Sequence, residues 1–260
     1  MDNLPELSPT SPEPDPWAGL KAFTAARIAL GRTGTSVPLR EALAFKLAHA
    51  HARDAVYSGL NEEKLLAEIA ALPMPVCQVN SQAQNRQEYL QRPDLGRQLN
   101  EASRAVLTEQ AANSCDLTIV LADGLSATAI NDHALPLLRL LLPELRAAGF
   151  QLGPLVLAEQ ARVALGDEVG HLVKARLVVV LIGERPGLSA PDSLGAYFTF
   201  APRPGLTDEA RNCVSNIRPA GLAYTPAAAK LSWLLREALR RQLSGVELKD
   251  QADALLPDAG

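Results

Sequence analysis

An α/β fold on a doubly wound parallel sheet, of the Rossmann or flavodoxin-like kind, is what this sequence predicts, preceded by a mainly helical N-terminal region. Three observations carry that expectation. Residues 117–122 (Leu117-Thr118-Ile119-Val120-Leu121-Ala122) and 177–182 (Leu177-Val178-Val179-Val180-Leu181-Ile182) are short, unbroken apolar runs, the mark of strands buried on both faces. Leucine-rich stretches of helical length lie between such runs. Strands that alternate with helices imply a parallel sheet with helices on both sides.

The elements follow in order. Residues 1–16 hold five prolines and several acids, so they can bury little and are expected to be disordered. From Trp17 to about Arg32, the spacing of Leu20, Phe23, Ile28 and Leu30 suggests a short helix that Gly31 and Gly34 end. Pro38 opens another, with Leu39, Leu43, Leu47 and Ala50 on one face. Asn61 caps a third, through Leu65, Leu66 and Ile69, and Pro73 and Pro75 stop it. A fourth is expected from about Asp94 to Ala111. Residues 17–112 therefore read as a helical region, and 113–260 as the α/β domain. In that domain the expected strands are 117–122, 154–158, 177–182 and 197–200. A leucine-rich helical stretch runs up to Leu145 and closes at Gly149. A last helix, about 225–242, turns Leu231, Leu234, Leu235 and Leu239 inward. No internal repeat is present.

Composition excludes several function classes. The 260 residues suffice for one large domain, or one with a smaller companion. Hydrophobic residues make up 47% and aromatics only 4%, so the core must be built from Leu, Ala, Val and Ile. A net charge of -4 offers no basic field to displace counterions from nucleic acid. The basic stretch 236–241 reads as the solvated face of a helix. Cys77, Cys115 and Cys213 lie far apart with no C-x-x-C pair, so neither a zinc knuckle nor a disulfide framework is indicated. That fits a reducing compartment. No apolar run reaches membrane-spanning length, and the acidic, proline-rich start is no signal peptide. A soluble intracellular protein is expected, with neither membrane nor nucleic acid as a partner.

Ligands of open parallel sheets bind beyond the carboxyl ends of the strands, and two such ends here carry unusual loops. Asp123-Gly124-Leu125-Ser126-Ala127-Thr128 nearly matches the G-x-S-x-G nucleophile elbow, but Thr128 stands where the second Gly belongs. A Ser126 hydrolase also needs a late His, and the last is His171. The plainer readings are a helix start capped by Asp123 or Ser126, or an anion contact at the same N–H groups. The second loop is Gly183-Glu184-Arg185-Pro186-Gly187-Leu188-Ser189. Its Pro-Gly turn holds Glu184 in a fixed place. There Glu184 either accepts hydrogen bonds from a ligand or pairs with an internal Arg. Cys213 sits among short polar residues, unlike an ordinary buried Cys. His49, His51, His133 and His171 lack metal-ligand spacing, and neither a P-loop nor a G-x-G-x-x-G is present. No catalytic residue and no metal ligand is assigned.

These stretches carry a resemblance. The runs 122–126, 183–188 and 211–217, with 89–97 (Tyr89-Leu90-Gln91-Arg92-Pro93-Asp94-Leu95-Gly96-Arg97) and the 244–246 tail, occur in one order over roughly 37–250. Together the set resembles the small, or light, subunit of ethanolamine ammonia-lyase. The resemblance implies an adenosylcobalamin-dependent radical conversion of ethanolamine to acetaldehyde and ammonia. It implies a large catalytic subunit as partner and no activity in this chain alone, with 113–260 acting as a cobalamin-binding domain. Its cofactor-contacting positions fall on Val163, Glu184 and Cys213. No His here has an Asp two places before it, so the D-x-H-x-x-G pattern for a protein-derived lower ligand is missing. A base-on cofactor is therefore implied. The resemblance also implies that longer family members can carry an N-terminal extension linked to packaging in a bacterial microcompartment; for this chain both that site and plain cytosol stay open. A nucleotide-like ligand-binding module without catalysis is the alternative of a different class.

Overall fold

A computed structural model describes residues 15–110 and 114–250. Most of the tail expected over 1–16, the 112/113 boundary and the helix end expected at Ala111 lie outside them. The helices are α1 (Leu39–Tyr57), α2 (Glu62–Ile69), α3 (Arg86–Gln91), α4 (Glu101–Gln110), α5 (Ala127–Ala129), α6 (Leu135–Ala147), α7 (Leu165–Leu172) and α8 (Tyr224–Arg241). The strands are β1 (Val76–Asn80), β2 (Cys115–Ala122), β3 (Leu152–Glu159), β4 (Ala175–Gly183), β5 (Leu194–Phe200) and β6 (Arg211–Ile217). A π-helical turn, Ile130–Ala134, joins α5 to α6. No described helix is long and apolar enough to cross a membrane.

All six strands form one sheet in the order β1-β3-β2-β4-β5-β6. The first four are parallel, whereas β5 runs antiparallel to β4 and β6 antiparallel to β5. The α/β class holds, but the sheet is mixed: β5 and β6 depart from the expected all-parallel arrangement. The reason lies in the connections. A parallel return needs a crossover of a dozen or more residues, usually helical. Residues 184–193 hold no helix, and residues 201–210 hold only the 3-10 turn Asp208–Ala210. With no crossover, each strand must turn back beside its predecessor.

Two core layers flank the sheet. On one face Leu138 and Leu142 of α6 and Leu231 and Leu235 of α8 pack against Ile119, Leu121, Val179 and Phe198. On the other, Leu107 of α4 and Leu165 and Val169 of α7 cover Val120, Val156, Val178 and Val180. There α4 packs on β1 and α7 on β4. Farther along that face Tyr197 is half-buried and Cys213 exposed.

Other expectations change as well. The helix expected over 17–32 is only a 3-10 turn, Ala18–Phe23, with no buried residue. The helix expected from Asp94 starts at Glu101, where the Asn100 side chain accepts from the Ser103 N–H at 2.8 Å. Two strands had no forecast. In β1, Gln78 breaks the apolar run, and β6, at the sheet edge, is buried only at Arg211, Val214 and Ile217. The Asn61 cap is present, its side chain accepting from the Lys64 N–H at 3.3 Å.

A buried ion pair ties β6 to the helical layer. Arg211 Nη2 donates to Asp167 Oδ2 of α7, and the two side chains are 2% and 3% exposed. Breaking a buried pair by removing one partner strands a charge and costs about 3–5 kcal/mol, whereas replacing both with apolar groups is often neutral. Arg211→Leu is expected to lower unfolding stability by that amount in urea titrations. Arg211→Leu combined with Asp167→Leu should recover most of the loss.

Candidate functional site

Three parallel strands end side by side, at Ala122, Glu159 and Gly183, and the loops beyond them are tied by one buried carboxylate. Asp123 is 3% exposed. Its Oδ1 accepts from the Ala161 N–H at 2.9 Å, beyond β3. Its Oδ2 accepts from Arg86 Nη1 of α3 at 3.3 Å. Burial raises its pKa to about 6, against the opposing pull of the Ala161 N–H and Arg86. Asp123 thus bridges loops instead of capping a helix.

The Asp123 and Glu184 loops meet backbone to backbone. The Leu125 N–H donates to the Gly183 carbonyl at 2.9 Å. Gly124 has φ +55°, and a Cβ there would sit 2.3 Å from that carbonyl. A Cβ at Gly183 would sit 1.9 Å from the Ser126 carbonyl oxygen. Two glycines are required because no side chain fits between the loops. Ser126 is buried, and its hydroxyl donates to the Pro191 carbonyl at 2.9 Å. It neither caps α5 nor faces solvent, which removes the geometry a nucleophile needs.

Tyr89 forms one wall. It is fully buried, and its hydroxyl donates to the Ala161 carbonyl at 3.0 Å. The guanidinium carbons of Arg86 and Arg162 lie over its ring, 5.0 and 4.8 Å from the centroid, a cation–π arrangement that orients both. Arg86 also donates to the Gly124 carbonyl at 2.8 Å. Arg162 Nε and Arg86 Nη2 are buried with no hydrogen-bond partner among the described residues.

Glu184 forms the opposite wall. Its Oε2 accepts from the Ser193 hydroxyl and, at 3.3 Å, from the Asn216 N–H. Its N–H donates to the Ser193 carbonyl at 2.9 Å, which closes the loop. No Lys or Arg pairs with it among the described residues, so the internal ion pair weighed from sequence is not what holds it. A Cβ on Gly195 would sit 2.9 Å from Glu184 Oε1; the bare glycine leaves that oxygen its place. Asn216 has φ +57°, a left-handed conformation that Asn tolerates better than most residues. The loop's far end is pinned by His133, whose ring nitrogens lie 2.9 Å from the Tyr224 hydroxyl and 3.2 Å from Asp192 Oδ2.

Between these walls lies an open hollow of about 420 Å³, lined by Tyr89, Arg162, Val163, Ile182, Glu184 and Tyr197 among others. A second hollow of about 280 Å³ is lined by Val163, Tyr197, Asp208, Arg211 and Cys213. Val163 and Tyr197 belong to both. Val163 and Glu184 thus line the first hollow, and Val163 and Cys213 the second. Sequence reasoning missed Tyr197, Gly195, Ser193 and Arg86. Only Tyr197 left a signal: strand alternation sets it on the face opposite Phe198, and it pairs in register with Cys213. No group of His, Cys, Asp and Glu among the described residues is placed to hold a metal ion.

The family model for the ethanolamine ammonia-lyase light chain (EutC) matches residues 14–249. A Ralstonia nicotianae protein named ethanolamine ammonia-lyase small subunit is 52% identical over 256 residues, covering 97% of this chain and 95% of its own length. Proteins of the same name from Bradyrhizobium diazoefficiens and Azotobacter vinelandii are 55% identical over 238 residues and 54% over 259. They match 91% and 98% of this chain, and 91% and 96% of their own lengths.

Cys213 pairs in register with Tyr197 across the β5–β6 ladder. Burial raises the pKa of its thiol to about 11; Tyr197 opposes the shift and the Glu184 charge adds to it. Only the thiolate reacts with alkylating agents. Although exposed as a residue, Cys213 should react at pH 8 about a hundred-fold more slowly than a thiol of pKa near 9. Its rate should keep rising up to pH 10. Mass-resolved iodoacetamide labelling checks this, and ordinary reactivity at pH 8 would contradict the environment described.

Proposed function

The chain belongs to the ethanolamine ammonia-lyase light-chain family, and on that premise we propose that it is the small subunit of an adenosylcobalamin-dependent lyase that converts ethanolamine to acetaldehyde and ammonia. One observation carries the reading. Val163, Glu184 and Cys213, which the family resemblance marks as cofactor contacts, line two hollows joined through Val163 and Tyr197. The cleft is open on one side, as suits a subunit that shares its ligand with a partner.

The residues present fit a large, flat ligand fringed with amides. Val163 and Ile182 supply apolar surface, and Glu184 supplies an acceptor. Arg162 supplies a buried, unpartnered donor beside Tyr89. When bound, adenosylcobalamin supplies the carbon-centred radical that starts the reaction; such chemistry belongs to the cofactor. This chain's residues bind, orient and exclude water. Ser193 and Asn216 hold Glu184 Oε2, which leaves Oε1 to accept an amide N–H. Arg162 is oriented by Tyr89 to donate.

The large subunit completes the enclosure, because a radical intermediate requires a dry, closed site. The test is reconstitution with that subunit. Acetaldehyde release, followed with a coupled dehydrogenase, is expected from the complex and absent from either chain alone. In the same complex, isotopically labelled histidine should leave the nitrogen coupling of the cob(II)alamin paramagnetic resonance unchanged. Steady turnover by this chain alone would overturn the subunit reading.

Glu184→Gln removes a charged acceptor while the closed loop keeps its backbone bonds. A hydrogen bond to a charged group contributes about 1.5–3 kcal/mol, so cofactor affinity of the complex should fall roughly ten- to a hundred-fold. The melting temperature of the lone chain should change little. Unchanged affinity in a spectroscopic titration would remove Glu184 from the contact set.

A further inference from the structure

Residues 16–57 are almost bare. Only Pro38 and Ala55 are buried among them, and thirty are exposed. The exposed set includes Trp17 at 65%, Phe23 at 86%, Leu39 at 73%, Leu43 at 55%, Leu47 at 58% and Tyr57 at 66%. The leucines share one face of α1 at four-residue spacing. A 19-residue helix that buries one residue gains little from tertiary packing, which supplies most helical stability in proteins. An exposed apolar surface of this extent marks an interaction site.

The arm's attachments show where that surface lies. Arg86 donates to the Val56 carbonyl at 2.8 Å and to the Gly124 carbonyl at 2.8 Å, so the C-terminal end of α1 is fastened to the Asp123 loop. Ser58 Oγ accepts from the Thr128 N–H at 3.1 Å. Near its start, Arg27 donates to the Leu188 carbonyl at 3.5 Å, in the Glu184 loop. The arm is therefore tied to both loops that wall the cleft.

We propose that α1 and the segment before it form the seat of the large subunit, so that one partner surface both covers this arm and closes the cleft. The proposal rests on the small-subunit reading above. Thirty exposed residues match the roughly 20–30 that each side brings to a standard interface. Residues 15–57 carry six Lys or Arg against three Asp or Glu, in a chain whose net charge is -4. The partner face is therefore apolar and acidic. Two copies of this chain, paired arm to arm, would set like charges together, which complementary interfaces avoid.

The experiment compares wild type with Leu43→Glu/Leu47→Glu, each titrated with the purified large subunit. Both side chains are exposed, so the lone variant should melt as wild type does. Its affinity for the large subunit should fall at least tenfold. As a second measurement, a polarity-sensitive fluorophore on Leu43→Cys should shift to the blue when the large subunit is added. Unchanged affinity, or an unshifted fluorophore, overturns the proposal. So does a wild-type dimer that the double substitution dissociates while binding to the large subunit persists, since the arm would then join copies of this chain. If wild type itself fails to bind the large subunit, the small-subunit reading falls first, and this proposal with it.

Discussion

Asp123 is the point on which the cleft depends. One buried carboxylate holds the end of β2 to the turn after β3 through the Ala161 N–H, and to α3 through Arg86. Arg86 then reaches Val56 at the end of α1. The arrangement has an energetic cost. Its pKa rises from an ordinary 3.8 to about 6, so the folded state favours the protonated form. Its contribution to stability is fullest below about pH 4 and is lost as the pH climbs through about 6. At neutral pH the charge is held at a cost of roughly 3 kcal/mol, offset elsewhere by the apolar core.

Around that tie the two faces of the sheet serve different ends. One is closed by α6 and α8, whose leucines pack against the central strands. The other is closed over β1 to β4, while Tyr197 and Cys213 on β5 and β6 stay accessible. The antiparallel turn-back of β5 and β6 creates this surface. A parallel continuation would require crossover helices, and those would cover the face where the cleft lies. The Arg211–Asp167 pair at the lower edge keeps β6 fixed to α7 although few apolar contacts hold it there.

The arm and the cleft share a logic. Both leave apolar or hydrogen-bonding groups without partners: the leucine face of α1, and Arg162 Nε beside Tyr89. Neither is stable in isolation on general grounds, since buried polar atoms seek partners and apolar faces seek cover. A chain with both features suits the two-subunit enzyme proposed above.

By itself the sequence determined the elements whose signal is local. The runs 117–122 and 177–182 became the central strands β2 and β4, because a strand buried on both faces must be apolar throughout. The leucine spacing of α6 and α8 and the Asn61 cap were legible for similar reasons. Periodicity also placed a helix from Leu39, yet its face is bare, because periodicity reports which residues share a side and not what covers that side. The loops around Glu184 and Cys213 stood out by composition, and their order along the chain carried the family resemblance. Only the tertiary structure decided that β5 and β6 run antiparallel, that β1 joins the sheet edge, and that Asp123 bridges loops where a helix cap was expected. It also brought Val163, Glu184 and Cys213, far apart in the chain, to two hollows that share Val163 and Tyr197. Strand direction, bridging and convergence are set by pairing between distant segments and by the room left between backbones, as at Gly124 and Gly183, and no short window of residues carries that information.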